Sequence, residues 1–246
     1  GVIYARNLLV MPLLAKSLGA EGYGAWVQLF VGIELLGGLV ILGFNFSLLR
    51  YIPQCETKRG EIDDLVSSLI VGLAVALAVQ AVLALTDEWI AKTLLGSSEL
   101  ATTVRHAGWV IPLAASGILI FSYLRGSRRV TFFVLLVSLE TVSWLAVAGW
   151  LFLTGAGLSE MLLGLLLIKA VVVIVALFFL LRGRLAMPSF SSVAPYLRHG
   201  LPLLPLGILM AVINASDRYI LSYYQGTEAA GIYSVSYGLG SIVGLV

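Results

Sequence analysis

The chain has 246 residues, of which 60% are hydrophobic and only 11% charged, with a formal net charge of +2 and a mean hydropathy of +1.02. Soluble domains carry about a quarter of their residues as charges, so an ordinary water-soluble globule is excluded. The single cysteine, Cys55, excludes an intrachain disulfide and a Cys-based zinc cluster.

A hydrocarbon core about 30 Å thick needs roughly 20 apolar residues in a helix. Eight stretches qualify: approximately 1–18, 22–48, 62–86, 103–124, 130–153, 160–182, 199–223 and 228–246. Turn and charge signals divide them at Leu18-Gly19-Ala20-Glu21, 53–64, Gly96-Ser97-Ser98-Glu99, Arg125-Gly126-Ser127-Arg128-Arg129, Thr154-Gly155-Ala156-Gly157 and 182–196. The expected fold class is all-α, a polytopic membrane helix bundle. Because the chain opens on Gly1 and stops at Val246 inside an apolar run, it reads as a fragment with clipped first and last helices.

Small residues within the spans, such as Gly32, Gly37, Gly38, Gly43 and Gly164, predict close helix packing. Pro12, Pro112, Pro202 and Pro205 fall within spans and predict kinks, with the seventh helix the most bent. Alternate loops carry Arg50, Lys58, Arg59, Arg125, Arg128, Arg129, Arg182, Arg184 and Arg198, against Lys16, Lys92 and Arg105 on the other side. That asymmetry predicts a cytoplasmic N-terminus. Trp89, Trp109, Trp150 and Tyr196 fall near the expected interfaces, as do His106 and His199, while Glu61, Asp63 and Asp64 read as a solvated helix start.

Six ionisable residues lie inside apolar stretches: Arg6, Glu34, Glu140, Lys169, Asp217 and Arg218. A charge in hydrocarbon costs at least about 2.5–3.5 kcal/mol, so such groups face a bundle interior or a watery cavity. Arg6, beside Asn7, lies roughly 20 Å below the Gly19 turn at about 1.5 Å per residue. It reads either as a cavity cation or as a partner for Glu34. Asp217 and Arg218 lie roughly 12 Å below Gly226 and diverge by about 100° around a helix. They read as a cavity-facing cation oriented by its neighbour, with Asn214 extending the arrangement, or as inter-helix ties. Glu140 and Lys169 fall at matching depth on antiparallel neighbours and predict a structural ion pair. If they do not touch, Glu140 becomes a proton or cation site. The formal charge of the six sums to zero, so a positive cavity requires that the acids be paired or turned away.

The sequence also repeats itself. Gly19-Ala20-Glu21-Gly22-Tyr23-Gly24-Ala25-Trp26 returns as Gly226-Thr227-Glu228-Ala229-Ala230-Gly231-Ile232-Tyr233, an offset of 207 residues. Asn7 then falls on Asn214, Leu14 on Leu221 and Gly37 on Gly244. Six helices separate the copies, so the halves are related by an axis along the membrane normal, an arrangement known in transporters. The expected division is a first six-helix lobe over 1–194 and the opening of a second lobe over 195–246.

These residues resemble the oligosaccharide flippase family, the Wzx-type polysaccharide biosynthesis proteins of the MOP superfamily. The likeness rests on 13–24, on Leu42-Gly43-Phe44 through Leu49-Arg50-Tyr51-Ile52, on Gly200-Leu201-Pro202-Leu203-Leu204-Pro205, and on Ser216-Asp217-Arg218-Tyr219-Ile220-Leu221 before Gly231-Ile232-Tyr233-Ser234. The resemblance implies a MOP-like bundle of 12–14 spans, about eight of them present here. It implies a flippase that moves an undecaprenyl-pyrophosphate-linked oligosaccharide across the cytoplasmic (inner) membrane by alternating access, for O-antigen, capsule or exopolysaccharide synthesis. Arg6, Asn7, Asn214, Asp217 and Arg218 would then meet the head group, and Glu34, Glu140 and Lys169 would serve ion coupling or a structural ion pair. A guanidinium suits a diphosphate because its planar fork donates two parallel bonds and stays protonated.

The implied partners are the lipid-linked oligosaccharide, membrane lipids and glycan assembly proteins such as a polymerase; no nucleic acid, metal or cofactor is expected. No Gly-Lys-Ser/Thr phosphate loop and no nucleophile–base set is present, which argues for a transporter over an enzyme. Two alternatives stay open. A MATE-like cation-coupled multidrug exporter would concentrate acids in its cavity, and a non-transporting membrane scaffold would pair all its buried charges.

Overall fold

This computed structural model describes residues 2–94, 101–182, 187–188 and 190–240, with side chains outside 2–9, 94, 192, 211, 214–215 and 239. The described residues form helices and no strand: α1 (Val2–Val40), α2 (Phe44–Tyr51), α3 (Lys58–Leu94), α4 (Ala101–Gly108), α5 (Val110–Gly126), α6 (Val130–Thr154), α7 (Leu158–Leu181), α8 (Val193–Gly200) and α9 (Leu204–Gly240). Hydrocarbon forces this choice, since every backbone N–H and C=O must be satisfied within its own segment. Among the described residues five helical stretches are long and apolar enough to cross a membrane: Val10–Val40, Lys58–Thr93, Ala101–Gly126, Val130–Thr154 and Leu158–Leu181. The protein is a polytopic membrane bundle.

The longest helices are each two arms joined at a glycine. Gly19 in α1 has φ 71° and ψ 175°, and Gly226 in α9 has φ 88° and ψ 170°. Only glycine enters that region without steric strain. The two copies of the repeat therefore share their backbone break as well as their letters. With α1 and α9 each split at that glycine, and α4 and α5 taken as one path, the eight expected stretches are helical where described, apart from interior turns at 41–43 and at Trp109.

Other breaks have local causes. The span expected over 22–48 is interrupted at 41–43, where Leu42 (φ 51°) and Gly43 (φ 77°) turn left-handed and α2 begins. Pro112 stands at the third position of α5, and its ring excludes the carbonyl four residues back. This explains why α4 ends at Gly108 and α5 restarts at Val110. Pro202 lies in a 3-10 turn, Leu201–Leu203, and Pro205 in the first turn of α9, so the seventh span changes helix type where its prolines fall. Pro12 sits within α1 without breaking it; the break falls at Gly19.

Burial separates the axis of the bundle from its lipid face. In the Ala101–Gly126 stretch 67% of the most apolar window is buried, against 17% in α3 and in α6. The α4–α5 pair is therefore the hub, with α1, α2, α3 and α7 packed around α5. Leu73, Leu77, Val82 and Leu85 of α3 and Val134, Leu135 and Val142 of α6 face outward, as lipid contact demands. Trp89, Trp109 and Trp150 are exposed, consistent with interfacial positions.

Tyr196, unlike the three tryptophans, is buried within the protein, and its hydroxyl donates to Asp64 at 2.9 Å. Asp64 and its neighbour are thus ties between distant segments and not a merely solvated helix start, since Asp63 also accepts the Met187 N–H at 2.8 Å. The Ser47 hydroxyl donates to the Tyr196 carbonyl at 2.6 Å, fixing α8 to α2. Cys55 shares the Asp64 carboxylate at 3.7 Å, and burial together with that negative charge raises its thiol pKa to about 11. The same causes push the Tyr196 phenol up. At the opposite end Arg105 pins α4 to α3 through Asp87 at 2.6 Å.

The most extensive helix pairing is α1 with α9. A Cβ added to Gly24 would strike the Thr227 carbonyl, and one added to Gly231 would strike the Ala20 carbonyl. At an offset of 207, Gly24 corresponds to Gly231 and Ala20 to Thr227. The contact is reciprocal, as two copies of one motif related by a local two-fold must be. Tyr219 adds a hydrogen bond to the Gln28 carbonyl at 2.9 Å.

Candidate functional site

The second arm of α1 presents Trp26, Phe30 and Glu34 at four-residue spacing, hence on one face. Glu140 and Trp144 of α6 are spaced alike. The three rings meet: Trp26 and Phe30 lie 5.5 Å apart, Trp26 and Trp144 5.9 Å, and Phe30 and Trp144 6.0 Å with planes 84° apart. Edge-to-face contacts of this kind add about 0.5–1.5 kcal/mol beyond area burial. Phe30 and Trp144 line a cavity on either side of them, so the cluster is a partition between two chambers.

The first chamber, about 410 Å³, holds Glu34, Glu140, Lys169 and Arg125. Lys169 Nζ lies 3.1 Å from Glu140 Oε1 and 3.4 Å from Glu34 Oε1. The structure thus brings Glu140 and Lys169 together as their matching depth predicts, and adds Glu34, for which sequence reading had considered Arg6. Two carboxylates on one ammonium satisfy a charge that burial would otherwise make expensive. Glu140 is buried, while the Glu34 side chain is 38% exposed. Glu34 also lines a smaller cavity of about 140 Å³ with Gly43, Asn45 and Leu204, so it looks into two spaces.

The second chamber, about 290 Å³, lies between α1 and α9 beside the reciprocal glycine crossing. Tyr23, Trp26, Arg218, Ser234 and Tyr237 contribute to its wall. The Arg218 guanidinium carbon sits 5.0 Å from the centre of the Tyr237 ring, within cation–π range. Asp217 is held elsewhere: it accepts the Tyr233 hydroxyl at 2.6 Å and the Arg218 backbone N–H at 2.8 Å. Neighbours in sequence, the two residues take separate aromatic partners on the second arm of α9, beyond Gly226. The side chains of Arg6, Asn7 and Asn214 lie outside the described residues.

Sequence reading missed the aromatic members of both chambers: Trp26, Phe30, Trp144, Tyr233 as a hydrogen-bond donor, and Tyr237. Their signal was the i, i+4 spacing with Glu34, with Glu140 and with each other. Arg125, assigned to a loop, also reaches into the first chamber.

The candidate site thus combines a glycine-crossed helix pair, charges held inside an apolar bundle and a chamber whose mainly apolar wall carries Arg218. The sequence model of the family described as "Polysaccharide biosynthesis protein" matches residues 2–246. The chain belongs to the polysaccharide biosynthesis protein family. The match spans the repeat, the paired chambers and every candidate residue, and it bears out at family level the resemblance carried by Gly19–Gly24 and Ser216–Tyr219. No curated protein and no solved structure matches this member of the polysaccharide biosynthesis family.

Proposed function

We propose that the protein is a flippase that carries an undecaprenyl-pyrophosphate-linked oligosaccharide across the cytoplasmic membrane, N-terminus inside, by alternating access. The single observation that carries this reading is Arg218: in a member of a polysaccharide biosynthesis family, a cation inside the apolar bundle lines a chamber between the two copies of a repeat.

A diphosphate and its sugars cannot cross hydrocarbon unaided, because their charge and unmet hydrogen bonds are too costly. Arg218 would receive the diphosphate with two parallel hydrogen bonds. Tyr237 packs against the guanidinium, whose carbon lies 5.0 Å from the ring centre, and both line the chamber. Arg6, Asn7 and Asn214 are proposed as further head-group contacts. Residues 1–194 and 195–246 are proposed to belong to two lobes that rock about the α1–α9 pair, with the Trp26–Phe30–Trp144 partition lying along the path. The engagement of both Glu34 and Glu140 with Lys169 favours this reading over a cation exporter, whose cargo would need those carboxylates.

The test is surface glycan export by the full-length protein carrying Arg218→Ala or Arg218→Lys, at matched expression. Export is expected to fall at least about tenfold with Ala and to recover in part with Lys, which keeps the charge but loses the fork. Undiminished export by the Ala variant would overturn the head-group role.

A further inference from the structure

We propose a second anion site, outside both chambers, where α2 meets α8: a pocket that takes a phosphate or diphosphate group at the membrane–water boundary. It is an open pocket of about 560 Å³ lined by Arg50, Tyr51, Ala194, Pro195, Arg198 and His199. Two guanidiniums and an imidazole converge there, and among the described residues no carboxylate joins them in the lining and neither arginine forms an ion pair.

The contrast with the neighbouring basic end of α6 is instructive. There Arg129 reaches Glu61 at 4.0 Å and lies over the Tyr123 ring, so its charge is answered within the protein. Arg50 instead donates Nη1–H to His199 Nδ1 at 3.5 Å, a neutral acceptor that leaves the guanidinium charge unanswered. Two guanidiniums gathered without an acid repel one another, and a bound anion removes that repulsion while accepting their hydrogen bonds.

The pocket is also held in place. Tyr51 packs 5.1 Å from the Tyr196 ring and edge-on to His199 at 5.6 Å. Arg50 lies 5.8 Å from the Tyr51 ring centre. Tyr196 is fastened to Ser47 and Asp64, and Gly43 and Gly200 bring the backbones at the adjoining ends of α2 and α8 too close for any side chain between them. The arginines therefore extend from two fixed helices. A phosphate-bearing group has two sources at such a boundary, an anionic lipid or the diphosphate of a lipid-linked cargo, and the chemistry of recognition is shared.

The experiment uses the full-length protein in nanodiscs. In phosphatidylcholine discs it is titrated with inorganic pyrophosphate. In mixed phosphatidylcholine–phosphatidylglycerol discs, native mass spectrometry reads which lipid is retained. Pyrophosphate binding or preferential retention of phosphatidylglycerol is expected, weakened about tenfold by the joint change Arg50→Gln with Arg198→Gln and much less by the corresponding Lys pair. Binding of pyrophosphate alone assigns a diphosphate cargo, and retention of phosphatidylglycerol alone assigns a lipid head group. Arg59→Gln, an exposed arginine of the same end, is the control and should change neither. The proposal is overturned if neither probe binds, if the double Gln variant binds as wild type does, or if Arg59→Gln weakens binding equally. The titrations are repeated on the Arg218→Ala protein, which removes the diphosphate site proposed for the chamber, so the two readings stand or fall separately.

Discussion

The two chambers use buried charge in opposite ways. In the first, Lys169 is enclosed by Glu140 and Glu34 at 3.1 and 3.4 Å, and its charge is spent on holding α1, α6 and α7 together. In the second, Arg218 lines the wall between α1 and α9 and rests on the face of Tyr237, while the adjacent acid turns to Tyr233. Similar chemistry in the sequence, a cation in an apolar run, becomes a three-helix ion pair at Lys169 and a ring contact at Arg218, which the proposed function reads as a recognition surface.

That contrast can be broken most directly at Lys169. Lys169→Ala leaves Glu140 buried beside a second carboxylate with no cation between them, and is expected to lower stability by about 3–5 kcal/mol. Replacing all three by neutral residues, Lys169→Met with Glu34→Gln and Glu140→Gln, should recover most of the loss. SDS-driven unfolding of the purified protein measures both. The Arg218→Ala protein is expected to lose less in the same measurement, about 2 kcal/mol for the contact with the Tyr237 ring inside the bundle. Equal losses at the two cations would erase the distinction.

The wall of the second chamber depends on the glycine crossing, which gives an intermediate effect. Gly24→Leu or Gly231→Leu forces a side chain against the facing carbonyl and should destabilise by about 1–3 kcal/mol. Gly38→Ala in the same helix meets nothing within 4 Å and should be neutral or slightly stabilising, because alanine is the better helix former. A crosslink-free unfolding series on the three variants compares them.

The smallest effect lies away from both chambers. Burial and the Asp64 carboxylate raise the Cys55 thiol to about 11, so the folded protein keeps the proton that an unfolded thiol loses near pH 9. Its contribution to stability is complete below about pH 9 and is lost as pH rises through about 11. At pH 8 the thiolate fraction is about 100-fold below that of a free cysteine, and maleimide labelling should be slow in proportion. Asp64→Asn is expected to speed it.

The bundle was legible because a bilayer fixes helix length and because Gly19, Gly155 and Gly226 punctuate the apolar runs. The interruption at Leu42–Gly43 was not, since it sits inside an apolar run with no polar turn residues to announce it. Buried charges stood out for the same reason that they are rare. The partition did not, because tryptophan and phenylalanine are unremarked among so many apolar letters until their four-residue spacing with Glu34 and Glu140 is noticed. Tyr196 and Asp64 are 132 residues apart, and no local pattern foretells their bond. The repeat carried most: eight letters located the symmetric crossing that places Arg218.

At that crossing α1 and α9 touch main chain to main chain, carbonyl against glycine, with no side chain interposed. The crossing itself holds by dispersion between close-packed main-chain atoms, and the Tyr219 bond to the Gln28 carbonyl fastens the pair one turn away. Under the proposed alternating access, that bond is what the two helices would have to release and remake beside the crossing.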